Sequence, residues 1–339
     1  MTRSIVARPG AANAGLLRSE TAVAVVVFFA LALLPGVASG YVVYIVPQYL
    51  LYGMLAMSLA LLWGFGGILS FGQAAFFALG AYAMGLAQHW DMAVNPAYVA
   101  LLISIAVGGA LAGVVGYFLF SAGVRDVYFV LVTLALSIMT EQITISQSDI
   151  TGGYNGMFIP RMSLTFGDAS LDLSDDVPMY YTILPLTIGI YALLRWVLAS
   201  RFGKVLIGIR ENEDRVLSLG FRTPLYKTAA FAISGAIAGL AGALYGTHAS
   251  FVSPSLAGVL FSTQVVVWVA IGGRESLLGS LLGAVGVAAL SNYLTAITPE
   301  YWQLVLGIVF VLVIMAFRGG VAGALGGLTA PRRPETESG

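Results

Sequence analysis

Polar side chains inside long apolar runs are the residues of this chain whose types and spacing could do chemistry. Ser70 and Gln73 sit in Leu62–Ala87, LWGFGGILSFGQAAFFALGAYAMGLA, together with Gly64, Gly66, Gly67, Gly72, Gly80 and Gly85. A Gly-Gly pair beside Ser and Gln can unwind a helical turn and leave backbone groups to line an aqueous pathway. The same small residues also suit close helix–helix packing. Glu141 is a carboxylate within an apolar run, flanked by Thr133, Ser137, Thr140, Gln142 and Thr144. A carboxylate at a membrane helix centre costs roughly 2.5–3.5 kcal/mol on insertion scales, so it should face protein or water. Two roles fit it: pathway lining or proton handling, and a structural carboxylate near the outer interface. Gly152 and Gly153, followed by Tyr154, Asn155 and Gly156, form a turn placed to close such a pathway from outside. A third cluster, GIRENEDRVLSLG at 208–220, offers Arg210, Glu211, Glu213, Asp214 and Arg215 with a helix stop at Gly220. The charged turn Arg274-Glu275 within AIGGRESLLGSLLGAVG reads as a turn and no more.

Other chemistries are excluded by composition. The chain has no Cys, which removes disulfides, thiolate catalysis and Cys-based metal sites. Only His89 and His248 can supply imidazole, and both fall at outer helix ends, where an interfacial histidine is the simpler reading. No H-E-x-x-H and no G-x-x-x-x-G-K-[ST] occurs, so the chain cannot cradle ATP phosphates in the P-loop manner. With 16 basic and 16 acidic residues, net charge points to no nucleic-acid partner.

The elements that must position these residues follow from hydropathy. Of 339 residues, 59% are hydrophobic and 9% charged, with a mean hydropathy of +0.91. A soluble domain carries about 25% charged residues, so the bilayer is this chain's solvent. Punctuation by Pro, Gly and polar residues divides it into ten expected spans: 20–38, 42–62, 66–88, 97–120, 126–146, 179–199, 228–248, 256–273, 277–297 and 300–317. The expected fold is therefore all-α and polytopic, with the third and eighth spans broken or re-entrant at glycines. No small-residue cleavage site follows Leu34-Pro35-Gly36, and 21–34 is read as the start of a retained first helix. With the N-terminus inside, inner segments hold all but one of the 16 basic residues, Arg161 being the exception. The outer segments hold Asp91, Asp149, Asp168, Asp172, Asp175, Asp176 and Glu300. That asymmetry calls for an even number of spans with both ends in the cytoplasm. The expected organisation is an N-terminal cytoplasmic tail at 1–19, a transmembrane domain at 20–317 and a C-terminal cytoplasmic tail at 318–339. Two loops exceed simple connections: an acidic outer one at 148–178 and a basic inner one at 200–227. The inner loop carries helical periodicity and reads either as a solvated or interfacial stretch or as a docking helix for a cytosolic partner. In the docking reading, Ile209–Gly220 is one helix whose Val216, Leu217 and Leu219 fill a partner groove.

Five segments taken in order carry a resemblance. They are GILSFGQAAFFALGAYAMG (67–85), TGGYNGM (151–157), RFGKVLIGIRENEDRVLSLGF…YKTAAFAISGAIAGLAGALYG (201–246), VSPS (252–255) and VVWVAIGGRESLLGSLLGA (266–284). Over about residues 50–323 the chain resembles the permease subunit of bacterial ABC importers for branched-chain amino acids and urea, of the LivM and UrtC type. The resemblance implies a bacterial inner-membrane location and a heterodimer with a second permease chain. It also implies two cytosolic ATPase subunits, which would hold the ATP and Mg, and an external solute-binding protein; this chain holds no cofactor of its own. It makes 210–220 similar to the coupling helix that enters a groove on the ATPase. It makes 67–81 and the TGG-x-NG turn similar to parts of the translocation pathway. Trp63-Gly64, the run VVWVAIGGR and 210–220 look closer to the urea-type chain, which places urea or a short amide ahead of branched-chain amino acids. The acidic outer stretch after Arg161 departs from both patterns. A secondary transporter or channel using Glu141 is the competing class, and a membrane-embedded enzyme lacks any nucleophile–base pair.

Overall fold

Where no water reaches, a backbone must satisfy its own N–H and C=O groups, and the apolar runs of this chain do so as helices. The structure is a computed structural model that describes residues 9–88, 95–124, 126–166, 169–173 and 175–297, with 300, 301, 304, 307 and 308 beyond them. Among these residues six helices are long and apolar enough to cross a membrane. They are α2 (Gly40–Ala60, prolonged by a π-helical turn Leu61–Phe65), α4 (Pro96–Ser121), α5 (Asp126–Ser146), α7 (Asp176–Ala199), α10 (Thr223–Ala249) and α12 (Leu277–Ile297).

The expected count of about ten spans is not confirmed among the described residues, where the other apolar runs form shorter or broken helices. α1 (Pro9–Leu33) gives way to a 3-10 turn at Leu34–Gly36, where Pro35 breaks the ladder. α3 starts only at Gln73 and ends at Gln88. Its 16 residues reach about 24 Å, short of a hydrocarbon core of about 30 Å. α11 (Val259–Gly272) is shorter still, held between a 3-10 turn at Pro254–Ala257 and Gly273, whose φ of +105° admits no continued helix. The run 300–317 lies almost wholly outside the described residues. The fold is also not purely helical. In the 148–178 loop, after the four-residue helix α6 (Ser148–Thr151), glycines with positive φ at 152, 153 and 156 end helix and turn the chain. The strand β1 (Met157–Phe158) can then pair antiparallel with β4 (Phe251–Val252), while β2 (Ser163–Phe166) pairs with β3 (Ala169–Asp172).

Two packing centres organise the bundle. α2 is buried almost all round, between α7, α10, α11 and α12. α3, α4 and α10 form a trio whose backbones meet through Gly80, Gly108, Gly235, Gly239 and Gly242, and Ser104 Oγ donates across it to the Gly80 carbonyl at 2.9 Å. α7 turns sharply into α8 (Arg201–Glu211), with Ser200 as its N-cap. The segment expected as one helix over 209–220 is two: Asn212 leaves the helical region at φ −162° and its side chain caps α9 (Glu213–Ser218) by accepting from Arg215 N–H at 2.8 Å.

Candidate functional site

The break between α2 and α3 is the candidate site. Gly67 has φ +71° and Ile68 N–H reaches back six residues to the Leu62 carbonyl, so the chain leaves the helix at the Gly-Gly pair. From there to Gln73 the backbone is non-helical, with Ile68, Ser70 and Gly72 buried, and hydroxyls from other helices supply partners at Phe71. Thr133 Oγ1 accepts from Phe71 N–H at 3.1 Å, and Ser137 Oγ donates to the Phe71 carbonyl at 2.8 Å. Ser262 on α11 donates to Ser137 at 3.3 Å, and Ser70 Oγ accepts from Gly72 N–H at 3.1 Å. Ser70 and Ser137 are fully buried. Thr133, Ser137, Thr140 and Thr144 recur at four- and three-residue steps and make the one buried face of α5, so the spacing marks a polar seam.

Gln73, at the start of α3, is 1% exposed. One end of its amide lies 3.1 Å from Ser58 Oγ, and that serine also donates to the Leu55 carbonyl at 2.7 Å, while Ser234 Oγ donates to the Ser58 carbonyl at 2.6 Å. A hydroxyl has one proton, so the amide can be turned either way about Ser58. As placed, its amide nitrogen has no hydrogen-bond partner among the described residues. Removing this half-paired buried amide costs little stability, because Ser58 keeps its bond to the Leu55 carbonyl and replacing polar atoms by an apolar isostere is nearly neutral when no partner is orphaned. Gln73→Leu is therefore expected to melt within about 1 kcal/mol of the parent while losing most transport. Loss of transport only in step with loss of folded protein would remove Gln73 from the pathway.

The other expected pathway residues lie apart from this cluster. Glu141 is half-buried, and its carboxylate lies against Gly258, where a Cβ would be 3.0 Å from Oε1. Gly258 precedes α11, so the charge faces the N-terminal end of that helix, where its dipole favours an anion. Gly152 and Asn155 are exposed and Gly153 is buried. Their turn is tied to α5 through Thr151, whose hydroxyl meets the Thr144 and Gln147 carbonyls, and to β4 through β1. His248, in the last turn of α10, is 2% exposed and packed on Tyr44, ring centroids 5.2 Å apart; His89 lies outside the described residues.

In the 200–227 loop the charges expected to meet a partner divide in two. Glu211, Asp214, Arg215 and Gly220 are exposed, as are Leu217 and Leu219, with Phe221 and Leu225 beside them. Val216 and Glu213 turn inward, and Arg210, although exposed, is engaged within the chain. Val216 is 8% exposed; Glu213 receives Lys227 Nζ at 2.6 Å and the Thr223 hydroxyl at 2.8 Å; Arg210 reaches the Gly64 carbonyl. Ser58, Ser234 and Ser262 were not singled out from sequence, because a lone serine in an apolar run reads as a small packing residue.

Comparison with known proteins places these features in a lineage. The model of the branched-chain amino acid transport system permease component matches residues 41–314. The high-affinity branched-chain amino acid transport system permease protein LivM of Escherichia coli is 28% identical over 289 residues, 78% of this chain and 66% of that one. Its Salmonella typhimurium counterpart is 28% identical over 294 residues, 80% and 67% of the two chains. The chain thus spans about two thirds of the length of these relatives. The autoinducer 2 import system permease protein LsrC of Escherichia coli is 26% identical over 148 residues, 41% of this chain and 43% of that one. No solved structure matches the chain.

Proposed function

Because the chain belongs to the family of permease components of branched-chain amino acid transport systems, we propose that this multi-pass membrane protein is the translocation subunit of an ATP-driven importer of branched-chain amino acids. The observation that carries the reading is the family match across 41–314, which spans both the broken α2–α3 helix and the α8–α9 loop. In this reading the 66–73 break lies on the solute's route, with Ser70, Gln73 and Ser137 as its polar groups. Two ATPase subunits, holding ATP and Mg, dock against the exposed Leu217, Leu219, Asp214 and Arg215 on the cytoplasmic side of the inner membrane. A solute-binding protein and a second permease chain complete the assembly. The relatives with the greatest coverage are named for branched-chain amino acids and none of those described is named for urea, which moves the solute away from the urea suggested by Trp63-Gly64 and the VVWVAIGGR run.

The test is uptake by proteoliposomes containing this chain with its co-encoded permease, ATPases and binding protein. Labelled leucine, isoleucine or valine is expected to accumulate only with ATP on the ATPase side, and unlabelled urea in excess is expected not to compete. Uptake without ATP would sink the importer reading, and competition by urea at concentrations that match the amino acids would return the solute to urea.

A further inference from the structure

The short turn at Gly273–Ser276, between α11 and α12, uses each of its side chains to hold a different element. The Arg274 guanidinium lies over the Trp63 ring, 5.9 Å from its centroid, and the Arg274 carbonyl occupies the place a Cβ on Gly64 would take. Glu275 Oε1 is 3.2 Å from Arg210 Nη1 on α8. Ser276 Oγ donates at 2.8 Å to Glu20 Oε1, which also faces Leu278 N–H at 3.3 Å. The other oxygen of Glu20 meets Arg195 Nη1 at 3.0 Å, near the C-terminal end of α7 before α8.

Arg210 is the member that joins the loop to the break. The same nitrogen that meets Glu275 also donates to the Gly64 carbonyl, one of the last carbonyls of the π-helical turn, which the turn itself leaves without an intrahelical donor. Its stem lies on Gly67, where a Cβ would be 2.9 Å from Arg210 Cγ, and Leu206 of α8 lies likewise on Gly66, 3.3 Å from a Cβ there. A rigid guanidinium fork can hold a carbonyl and a carboxylate at once, which an ammonium on a flexible stem does poorly. The π turn is already a departure from α geometry of the kind found at functional sites, and it is gripped on both sides at the two glycines where the helix ends.

We propose that Arg210, clamped between Glu275 and the Gly64 carbonyl, is a positioning residue that transmits displacement of α8–α9 to the 66–72 break, and is not a contact for the cytosolic partner. Movement of α9 passes through Asn212 into α8, and α8 cannot shift without dragging Gly64, Gly66 and Gly67. These lead within a few residues to Phe71, held by Thr133 and Ser137, and to Gln73. The Glu20–Arg195 link keeps the far side of the same turn fixed to the α7 end, so that the break, and not the turn, yields. The proposal rests on the permease reading only for what moves the loop.

Two measurements separate its parts. Amide hydrogen exchange on the purified full chain in nanodiscs reads the clamp without any transport. Arg210→Ala is expected to speed exchange at 68–72 by about tenfold or more, with α3, α4 and α10 unchanged, because local opening is governed by the contacts of that segment alone. Arg210→Lys is expected to fall between, and Glu275→Gln to have the smallest effect, since the bridge to Glu275 is largely solvent-exposed. Unchanged protection at 68–72 in Arg210→Ala overturns the clamp. In the reconstituted assembly, solute moved per ATP hydrolysed is expected to fall about tenfold in Arg210→Ala, within the usual span of coupling between sites. A normal ratio with a loosened 68–72 segment overturns the transmission step, and weakened ATPase binding in its place would make Arg210 the partner contact the proposal denies. Transport that needs no ATPase would sink the permease reading, and the exchange result would then judge the clamp alone.

Discussion

Gly242→Leu is expected to abolish recovery of folded protein. Gly235, Gly239, Gly242 and Gly246 recur on α10 at four-, three- and four-residue steps, which puts them on one face. Against that face α3 and α4 present backbone: a Cβ on Gly242 would run into the Phe77 carbonyl, and one on Gly239 into the Ser104 carbonyl. Helices held by van der Waals packing in lipid gain from such backbone approach and have no hydrophobic force between them to replace it. Overpacking usually costs about 1–3 kcal/mol, and here the obstructing atoms are main chain and cannot rotate aside. Gly242→Ala alone should therefore lower the melting temperature in detergent sharply. Gly246→Ala should do less, because the nearest atom to its Cβ is the Ile159 Cδ1, at 2.7 Å, on a side chain that can move. Gly286→Ala, with nothing within 4 Å, should be neutral or slightly stabilising. Equal melting for the alanine variants at 242 and 286 would show that the trio is not held by this seam.

Length was the part of the fold most legible in the sequence. A hydrocarbon core admits only long apolar helices, so the runs 97–120, 126–146 and 277–297 coincide with α4, α5 and α12 to within a residue. The punctuation of span three was legible too, since Gly66 and Gly67 announce a break. What sequence could not fix was where helix resumes, because that depends on Thr133 and Ser137, more than sixty residues away, supplying bonds that a broken backbone needs. In the inner loop, apolar periodicity through Leu206, Ile209 and Val216 hid the stop at Asn212, although Asn followed by Glu and Asp is a helix-start signature. The direction of its charges was hidden more deeply. Arg210 and Glu213 look alike in a row of charges, and only the arrival of Gly64 and Glu275 at one, and of Thr223 and Lys227 at the other, decides what each of them holds.

Reversing Glu213 alone is expected to unmoor α9, whereas reversing the exposed Glu211 leaves the fold intact. Glu213 and Lys227 are 2.6 Å apart with side chains 18% and 11% exposed, and Thr223 Oγ1 occupies the second carboxylate oxygen at 2.8 Å. Lys227 also lies 5.7 Å from the centre of the Phe120 ring, so its ammonium sits among apolar groups on one side and the carboxylate on the other. Removing one partner of a buried pair costs about 3–5 kcal/mol, because the remaining charge stays desolvated, and Glu213→Lys adds a second positive charge to the same place. The helix it would release is only six residues long and has no stability of its own. Limited trypsin digestion is expected to cut the Glu213→Lys variant at Arg215 or Arg222 well before the parent, while Glu213→Lys with Lys227→Glu recovers most of the resistance. Glu211→Lys, at an exposed position, is expected to digest like the parent apart from the new site. Equal resistance of the parent and the Glu213→Lys variant would mean that the pair holds nothing. The distinction decides how docking of an ATPase can be tested: a double reversal at 213 and 214 would weaken binding by detaching α9 whether or not α9 is the docking element. Only changes confined to Leu217 and Leu219 probe the surface without dismantling what carries it.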